Sequence, residues 1–303
     1  MYSRWFSTAV VLLWLSTMGW LVKEKVLPPL LLGDPPSHQS ILEARRGQPP
    51  VGWRLQWNRR DVGWATSSTT QLAGGGARID SHVHFDDLPV NEMAPGWLQA
   101  IFMVVKPASQ SATGNNSGTS ANIQTDALSS LVIDASNRLS EIESSVSFHP
   151  SGQTISMRGV AAGSKLNLTV HTFDVDLKAQ IPLDADTLLH DAISPTTCLP
   201  NLYEGQTWTV SVLTPLKYPN SPHEILLAKV EGLRRIHHEG RAMAVWLVTY
   251  HNNPGKKLST ETKPRAQLWV RPDGVVIKQE MSILNSTMTF LRLAEEEALK
   301  LTK

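Results

Sequence analysis

Residues 165–181, KLNLTVHTFDVDLKAQI, carry the pattern on which the fold turns. Leu166, Leu168 and Val170 alternate with Lys165, Asn167, Thr169 and His171. Beyond Asp174 the apolar set is Val175, Leu177, Ala179 and Ile181, set against Asp176, Lys178 and Gln180. A strand sends successive side chains to opposite faces, so a period of two marks a strand with one face buried. The apolar parity switches around Thr172 to Asp174. A bulge or turn must intervene there, because otherwise one half would aim its apolar side chains at water.

The same period recurs on both sides of this stretch. Ile155 and Met157 alternate with polar neighbours in TISMRG, as do Trp208, Val210 and Val212 in TWTVSVL. AQLWVRPDGVVIKQEMSIL, 266–284, predicts a hairpin with Pro272, Asp273 and Gly274 in the turn. DALSSLVIDASNRLSEIE, 126–143, fits a helix and also fits strand, turn, strand with Asn137 in the turn; the second reading is preferred. AMAVWLVTY, 242–250, and LQAIFMVV, 98–105, are apolar on both sides, and an antiparallel strand of that kind needs cover on both faces. That cover could be helices, a folded-over sheet or a bound apolar molecule. The helical candidates are DADTLLHDAI, 184–193, and LRLAEEEALKLTK, 291–303, with Leu291, Ala294, Ala298 and Leu301 at helical spacing. The expected class is mainly β: a large curved antiparallel sheet or half-open barrel with a few short covering helices, plus one N-terminal transmembrane helix.

That last helix is expected from Trp5 to Val22, 18 residues without a charge, which as a helix measure about 27 Å. Trp5 and Trp20 stand near its ends, where indoles favour the headgroup level. No small-x-small cleavage site follows in MGWLVKEK, which favours an uncleaved signal anchor. Residues 1–26 are therefore read as the anchor, 27–50, with Pro28, Pro29, Pro35, Pro36, Pro49 and Pro50, as a stiff spacer, and 51–303 as the β domain. A low-complexity insertion, 107–125, interrupts that domain. The expected location is the inner (cytoplasmic) membrane, single-pass, with the C-terminal domain outside the cytoplasm.

Charge excludes one class of partner. With 28 Lys plus Arg against 27 Asp plus Glu, no global field draws the chain to nucleic acid. The basic spot GLRRIHHEGR, with Arg234, Arg235 and Arg241, reads as a solvated turn between strands. A lone Cys198 excludes an internal disulfide framework and suits a buried, inert thiol.

One short motif points to chemistry. In ARIDSHVHFDD, 77–87, His82 and His84 lie two apart on a strand and could share a metal, with Asp80 or Asp86 completing the group. Asp80-x-His82-x-His84 resembles the first-strand metal motif of the amidohydrolase superfamily. That resemblance covers about ten residues, and the alternating βα units of a metal barrel do not follow it. A solvated strand face is the preferred reading, and no enzyme activity and no cofactor are expected. Seven of ten tryptophans lie outside the anchor. Trp53, Leu55 and Trp57 share a face and, with Trp208, Val210 and Trp246, are the candidate lining of an apolar ligand cavity; plain core packing is the competing reading.

Taken together, VGWRLQWNRRDVGWATSS, LVIDASNRLSEIES, LYEGQTWTVSVLTP and QLWVRPDGVVIKQEMSI resemble the strand pattern of periplasmic lipoprotein-carrier domains of the LolA and LolB type. The resemblance implies a curved sheet that wraps helices or an apolar ligand on its concave side. The expected function is a membrane-tethered, non-enzymatic binding domain for a lipid, an acyl chain or an envelope protein partner. A structural envelope component with a filled core is the first alternative, and a metal-dependent hydrolase using Asp80, His82 and His84 the second. Oligomeric state is left open.

Overall fold

The fold is that of a computed structural model, which describes residues 4–22, 36–88, 123–149, 152–172, 175–183, 188–191, 194–213, 223–252, 263–283 and 286–301. The chain divides into two compact units, Met1–Pro35 and Pro36–Lys303. The first contains helix α1, Arg4–Leu21. Large apolar side chains all round it, among them Trp5, Val11, Leu13, Trp14 and Trp20, are exposed. Among the described residues no helix is long and apolar enough to cross a membrane. The transmembrane span expected over 5–22 is therefore not shown.

The second unit opens with α2, His38–Arg45. Ser37 caps it reciprocally: its Oγ accepts from the Ser40 amide at 3.2 Å, and Ser40 Oγ accepts from the Ser37 amide at 2.9 Å. Residues 38–45, expected within an extended spacer, are thus helical, because a capping box and the buried Ile41 outweigh the flanking prolines.

Among the described residues fifteen strands follow: β1 Val51–Trp57, β2 Arg60–Gln71, β3 Ala77–Leu88, β4 Ile123–Ile133, β5 Leu139–His149, β6 Gln153–Ala162, β7 Lys165–Thr172, β8 Val175–Pro182, β9 Leu188–Asp191, β10 Thr207–Leu213, β11 His223–His238, β12 Arg241–Asn252, β13 Ala266–Val270, β14 Val276–Ile283 and β15 Ser286–Arg292. Helix α3, Glu295–Leu301, ends the described chain with three glutamates in its first turn, complementing the helix dipole. All strands join one sheet in the order β8-β7-β6-β5-β4-β3-β2-β1-β15-β14-β13-β12-β11-β10-β9. Every pairing is antiparallel except β9 with β10.

Chain length dictates the curl. β8 and β9 are the two edges of the sheet, yet only residues 183–187 separate Pro182 from Leu188. Six Cα steps reach at most about 20 Å, whereas fourteen flat inter-strand spacings of ~4.8 Å would set the edges roughly 67 Å apart. The sheet must therefore roll until its edges nearly meet. β8 and β9 are not hydrogen-bonded to each other, so the result is a curved, unclosed sheet.

Local sequence explains the turns. At β4–β5 the Asp134 carboxylate accepts from the amides of Ser136, 2.8 Å, and Arg138, 3.0 Å, while Asn137 takes φ 59°. The strand, turn, strand reading of 126–143 is the one realised. The 266–284 hairpin also forms, with Gly274 at φ 86° and the Asp273 carboxylate accepting from the Val275 amide at 3.2 Å. β7 and β8 pair from Thr172↔Val175 outward, so the parity switch is a turn. Three expectations are corrected. Leu188–Asp191, within the expected helix 184–193, is an edge strand, since pairing with β10 satisfies its backbone. The C-terminal helix begins at Glu295, because Leu291 belongs to β15. Ile123–Thr125, assigned to the low-complexity insertion, already form the start of β4 by pairing with β3 and β5. The strand expected over 98–105 lies outside the described residues.

The concave face holds one continuous core that includes Trp53, Leu55, Val83, Ile142, Met157, Leu168, Val230 and Phe290, each at most 1 % exposed. On β12 both faces receive cover, with Val248 and Tyr250 buried on one side and Val245 and Thr249 on the other. Gly52 points away from the core; a Cβ there would stand 2.8 Å from the Ala298 Cα, so α3 docks on the opposite face through that bare glycine.

Candidate functional site

Between β10 and β14 the interior keeps a cavity of about 110 Å³. Val210, Leu226, Tyr250, Leu268 and Met281 give it an apolar wall, and Glu224, Arg265 and Gln279 add polar groups. Gln279 Oε1 accepts from the Thr196 amide at 2.9 Å, and Arg265 Nη1 donates to the Ser282 carbonyl at 3.1 Å. Burial pushes the Tyr250 phenol up, so it stays neutral. Of the six residues expected to line a cavity, Val210 is among those around this one. Trp53, Leu55, Trp57 and Trp208 are buried in the core and Trp246 is half-buried against it.

Arg292 stands opposite Trp53 on the neighbouring strand, with its guanidinium 5.8 Å from the indole centroid, and donates to the carbonyls of Thr197, 3.1 Å, and Val276, 3.3 Å. Arg45 enters from α2, 4 % exposed, and donates to the Ser67 carbonyl at 3.4 Å. Burial pushes it down to about 10, and the charge of Arg292 adds to the shift. Burial likewise raises the Cys198 thiol, which suits the inert role expected of it. Arg45 Nη1 and Trp53 Nε1 find no partner among the described residues.

The densest chemistry lies on the other face of β3–β5. His82 and His84 project together from β3, as their i, i+2 spacing requires. Register then places Asp126 of β4 directly opposite His84. Asp126 Oδ1 lies 2.7 Å from His82 Nε2 and 2.8 Å from His84 Nδ1, and Oδ2 lies 3.3 Å from His149 Nε2. Asp86 Oδ1 is 3.4 Å from the other nitrogen of His84. Trp64 of β2 stacks on the His84 ring, with centroids 5.4 Å apart and planes at 27°, and meets His82 edge-on at 4.9 Å. Burial raises the Asp126 carboxyl, but hydrogen bonding to His84 and His82 outweighs it and leaves the group below the ordinary carboxylate value. The ligand atoms of His82, His84 and Asp126 all fall within 4.8 Å of one another.

Of the alternative set named from sequence, Asp80, His82 and His84, the two histidines lie together. Asp80 pairs across to Ser130 and Ser68, one strand repeat away from His82, and the carboxylate that lies with the two rings is that of Asp126. Asp126 and His149 escape sequence reading because they lie 42 and 65 residues beyond His84; only the register of β3, β4 and β5 brings them in.

Comparison with known proteins gives little beyond this geometry. No known family matches the chain, and no curated protein matches it. Two solved structures are similar. One is a β-barrel-like protein of a domain of unknown function, DUF1849, from Brucella abortus, with TM-score 0.44 and 7% identity over 80% of this chain and 95% of that one. The other is a DUF1089 family protein from Pseudomonas aeruginosa, with TM-score 0.33 and 15% identity over 70% and 87%. The expected likeness to LolA and LolB is not shown. At such scores neither similarity bears on function, and the curled sheet of this chain stands on its own strand pairing.

Proposed function

We propose that the β domain is a non-enzymatic binding module that takes a small apolar group into the cavity between β10 and β14. The observation that carries this reading is the cavity itself: about 110 Å³, walled by Val210, Leu226, Leu268 and Met281, with Arg265 and Glu224 among its polar lining. Its size sets the ligand. An engineered apolar cavity of ~150 Å³ admits benzene, so the group held here is of that order: a compact apolar molecule or the tip of an acyl chain. A whole acyl chain is larger than this space, which narrows the lipid reading to partial insertion. In the same proposal α1 tethers the domain to the inner membrane, with the domain outside the cytoplasm. What supports the tether is an apolar surface all round the helix, exposed from Trp5 to Val22.

The test is native mass spectrometry of the full-length chain released from detergent, beside a Leu268→Trp variant that fills the cavity. A co-purified apolar adduct that Leu268→Trp excludes while its circular dichroism stays that of the parent is the expected result. An adduct retained by the variant, or no adduct and no saturable uptake of short-chain fatty acids, overturns the reading and leaves a structural envelope component.

A further inference from the structure

A metal site on the convex face is independent of the cavity reading. Two imidazoles of β3 and a carboxylate of β4 converge on one point, and His149 of β5 reaches the other carboxylate oxygen at 3.3 Å, on a sheet whose backbone is held by ladder hydrogen bonds on both sides. Surface histidines and aspartates pair often, but the pattern here is more demanding than a pair. A single carboxylate oxygen, Asp126 Oδ1, is approached by two different rings at 2.7 and 2.8 Å. A neutral imidazole carries one proton. His84 faces Asp86 through Nε2, at 3.4 Å, and Asp126 through Nδ1, at 2.8 Å. The ligand atoms of His82, His84 and Asp126 all lie within 4.8 Å of one another, a spacing that one ion can bridge.

The surroundings favour the cation. Asp86 beside the outer nitrogen of His84 is the arrangement in which a carboxylate fixes the tautomer of a ligating histidine and leaves the inner nitrogen free to bind. Trp64, stacked on His84 and edge-on to His82, restricts both rings without offering a competing acceptor. The side chains are half-buried, with His84 21% and Asp126 26% exposed, so an ion could enter from solvent yet lose part of its hydration there. The donor chemistry selects its class. Imidazole nitrogens with one carboxylate oxygen suit zinc and its neighbours, whereas calcium and magnesium require mainly oxygen.

We propose that His82 Nε2, His84 Nδ1 and Asp126, with His149 Nε2 as a fourth ligand, bind one divalent transition-metal ion of the zinc, cobalt, nickel or copper class. Asp86 positions His84 rather than ligating. Asp80 takes no part.

The test uses the full-length chain, stripped with EDTA and titrated with Co²⁺, whose visible spectrum reports ligand number, followed by displacement with Zn²⁺. Saturation at one ion per chain, with a spectrum of a nitrogen and oxygen site, is expected. Asp126→Asn, and separately His82→Asn with His84→Asn, should abolish that spectrum. Asp86→Asn should weaken binding by about 10- to 100-fold, and Asp80→Asn should leave it unchanged. All five substitutions fall on exposed or half-buried side chains, and an unchanged β-type circular dichroism spectrum is the check that each variant folds. No saturable uptake, uptake equally strong in Asp126→Asn, or loss in Asp80→Asn in place of Asp126→Asn overturns the proposal.

Discussion

Trp53→Ala separates a packed interior from a ligand cavity more sharply than any other single change. Trp53 is 0% exposed and lies on β1, which is hydrogen-bonded to β2 on one side and β15 on the other. A strand held on both sides cannot shift inward to close a hole, so the cost belongs in the upper part of the range for buried Trp→Ala, about 3–5 kcal/mol. The guanidinium of Arg292 also loses the ring it stands over, worth a further ~0.5–1 kcal/mol. A total near 5 kcal/mol is a large share of the ~5–15 kcal/mol that keeps a typical domain folded. With a urea slope of about 3 kcal/mol/M the midpoint should fall by roughly 1.5 M. Equilibrium urea unfolding followed by far-ultraviolet circular dichroism measures it, with Trp246→Ala as the half-buried comparison, expected to cost less. Were Trp53 the wall of an open cavity, its removal would merely enlarge a space already present. A loss below about 1 kcal/mol, or one no larger than that of Trp246→Ala, would refute the packed-core account.

Two further outcomes follow from single contacts. Gly52→Val puts a Cβ 2.8 Å from the backbone of Ala298, which has no flexible end to move aside. α3 should undock at a cost of about 1–3 kcal/mol, seen as lost amide-exchange protection over 295–301 with β2–β5 unaffected; full protection in the variant would contradict the docking. Asp273→Asn probes the β13–β14 turn. Burial raises the Asp273 carboxyl, but hydrogen bonds from Arg271 and the Val275 amide, with the charge of Arg271, leave its folded value below the ordinary one. A depressed folded pKa stabilises above the unfolded carboxylate value of ~3.9 and ceases to as pH falls through the folded value. The stability gap between parent and Asp273→Asn should therefore be full at neutral pH and close below about pH 4. A gap that persists unchanged into stronger acid would show that the turn owes nothing to the charge.

Most of the sheet is legible in residue order because each strand carries its own evidence. Leu166, Leu168 and Val170 announce a half-buried strand without reference to any partner, and Asp134 with Asn137 announces a turn from neighbouring backbone alone. Ambiguity enters where local preference is weak. Residues 188–191 have no alternation to distinguish them from a helix, and what makes them a strand is pairing with β10, some twenty residues on. The helix at 38–45 sits among prolines that argue against it, and its deciding features, the Ser37–Ser40 capping box and the burial of Ile41, are visible only once the domain is assembled.

The candidate metal site shows the limit more exactly than the fold does. His82 and His84 declare themselves because a strand maps i, i+2 onto one face, a rule internal to β3. The third and fourth groups obey no such rule. Asp126 faces His84 only because β4 pairs with β3 in the register that sets Ile79 against Leu131 and Val83 against Ala127 on the buried face. Slide that register by one residue and the apolar set of β4 would point to solvent, so burial on the concave side fixes what meets on the convex side. The acidic partner of the histidines is thus chosen by the packing of Val83 and Leu131, which never touch it. An Asp in the same sequence motif as the histidines, Asp80, is nearer by count, but register sets it against Ser68 and Ser130 and places Asp126 directly across from His84. Proximity in a sheet is decided across strands before it is decided along them, and a ligand set that spans β3, β4 and β5 can be read only after their pairing is known.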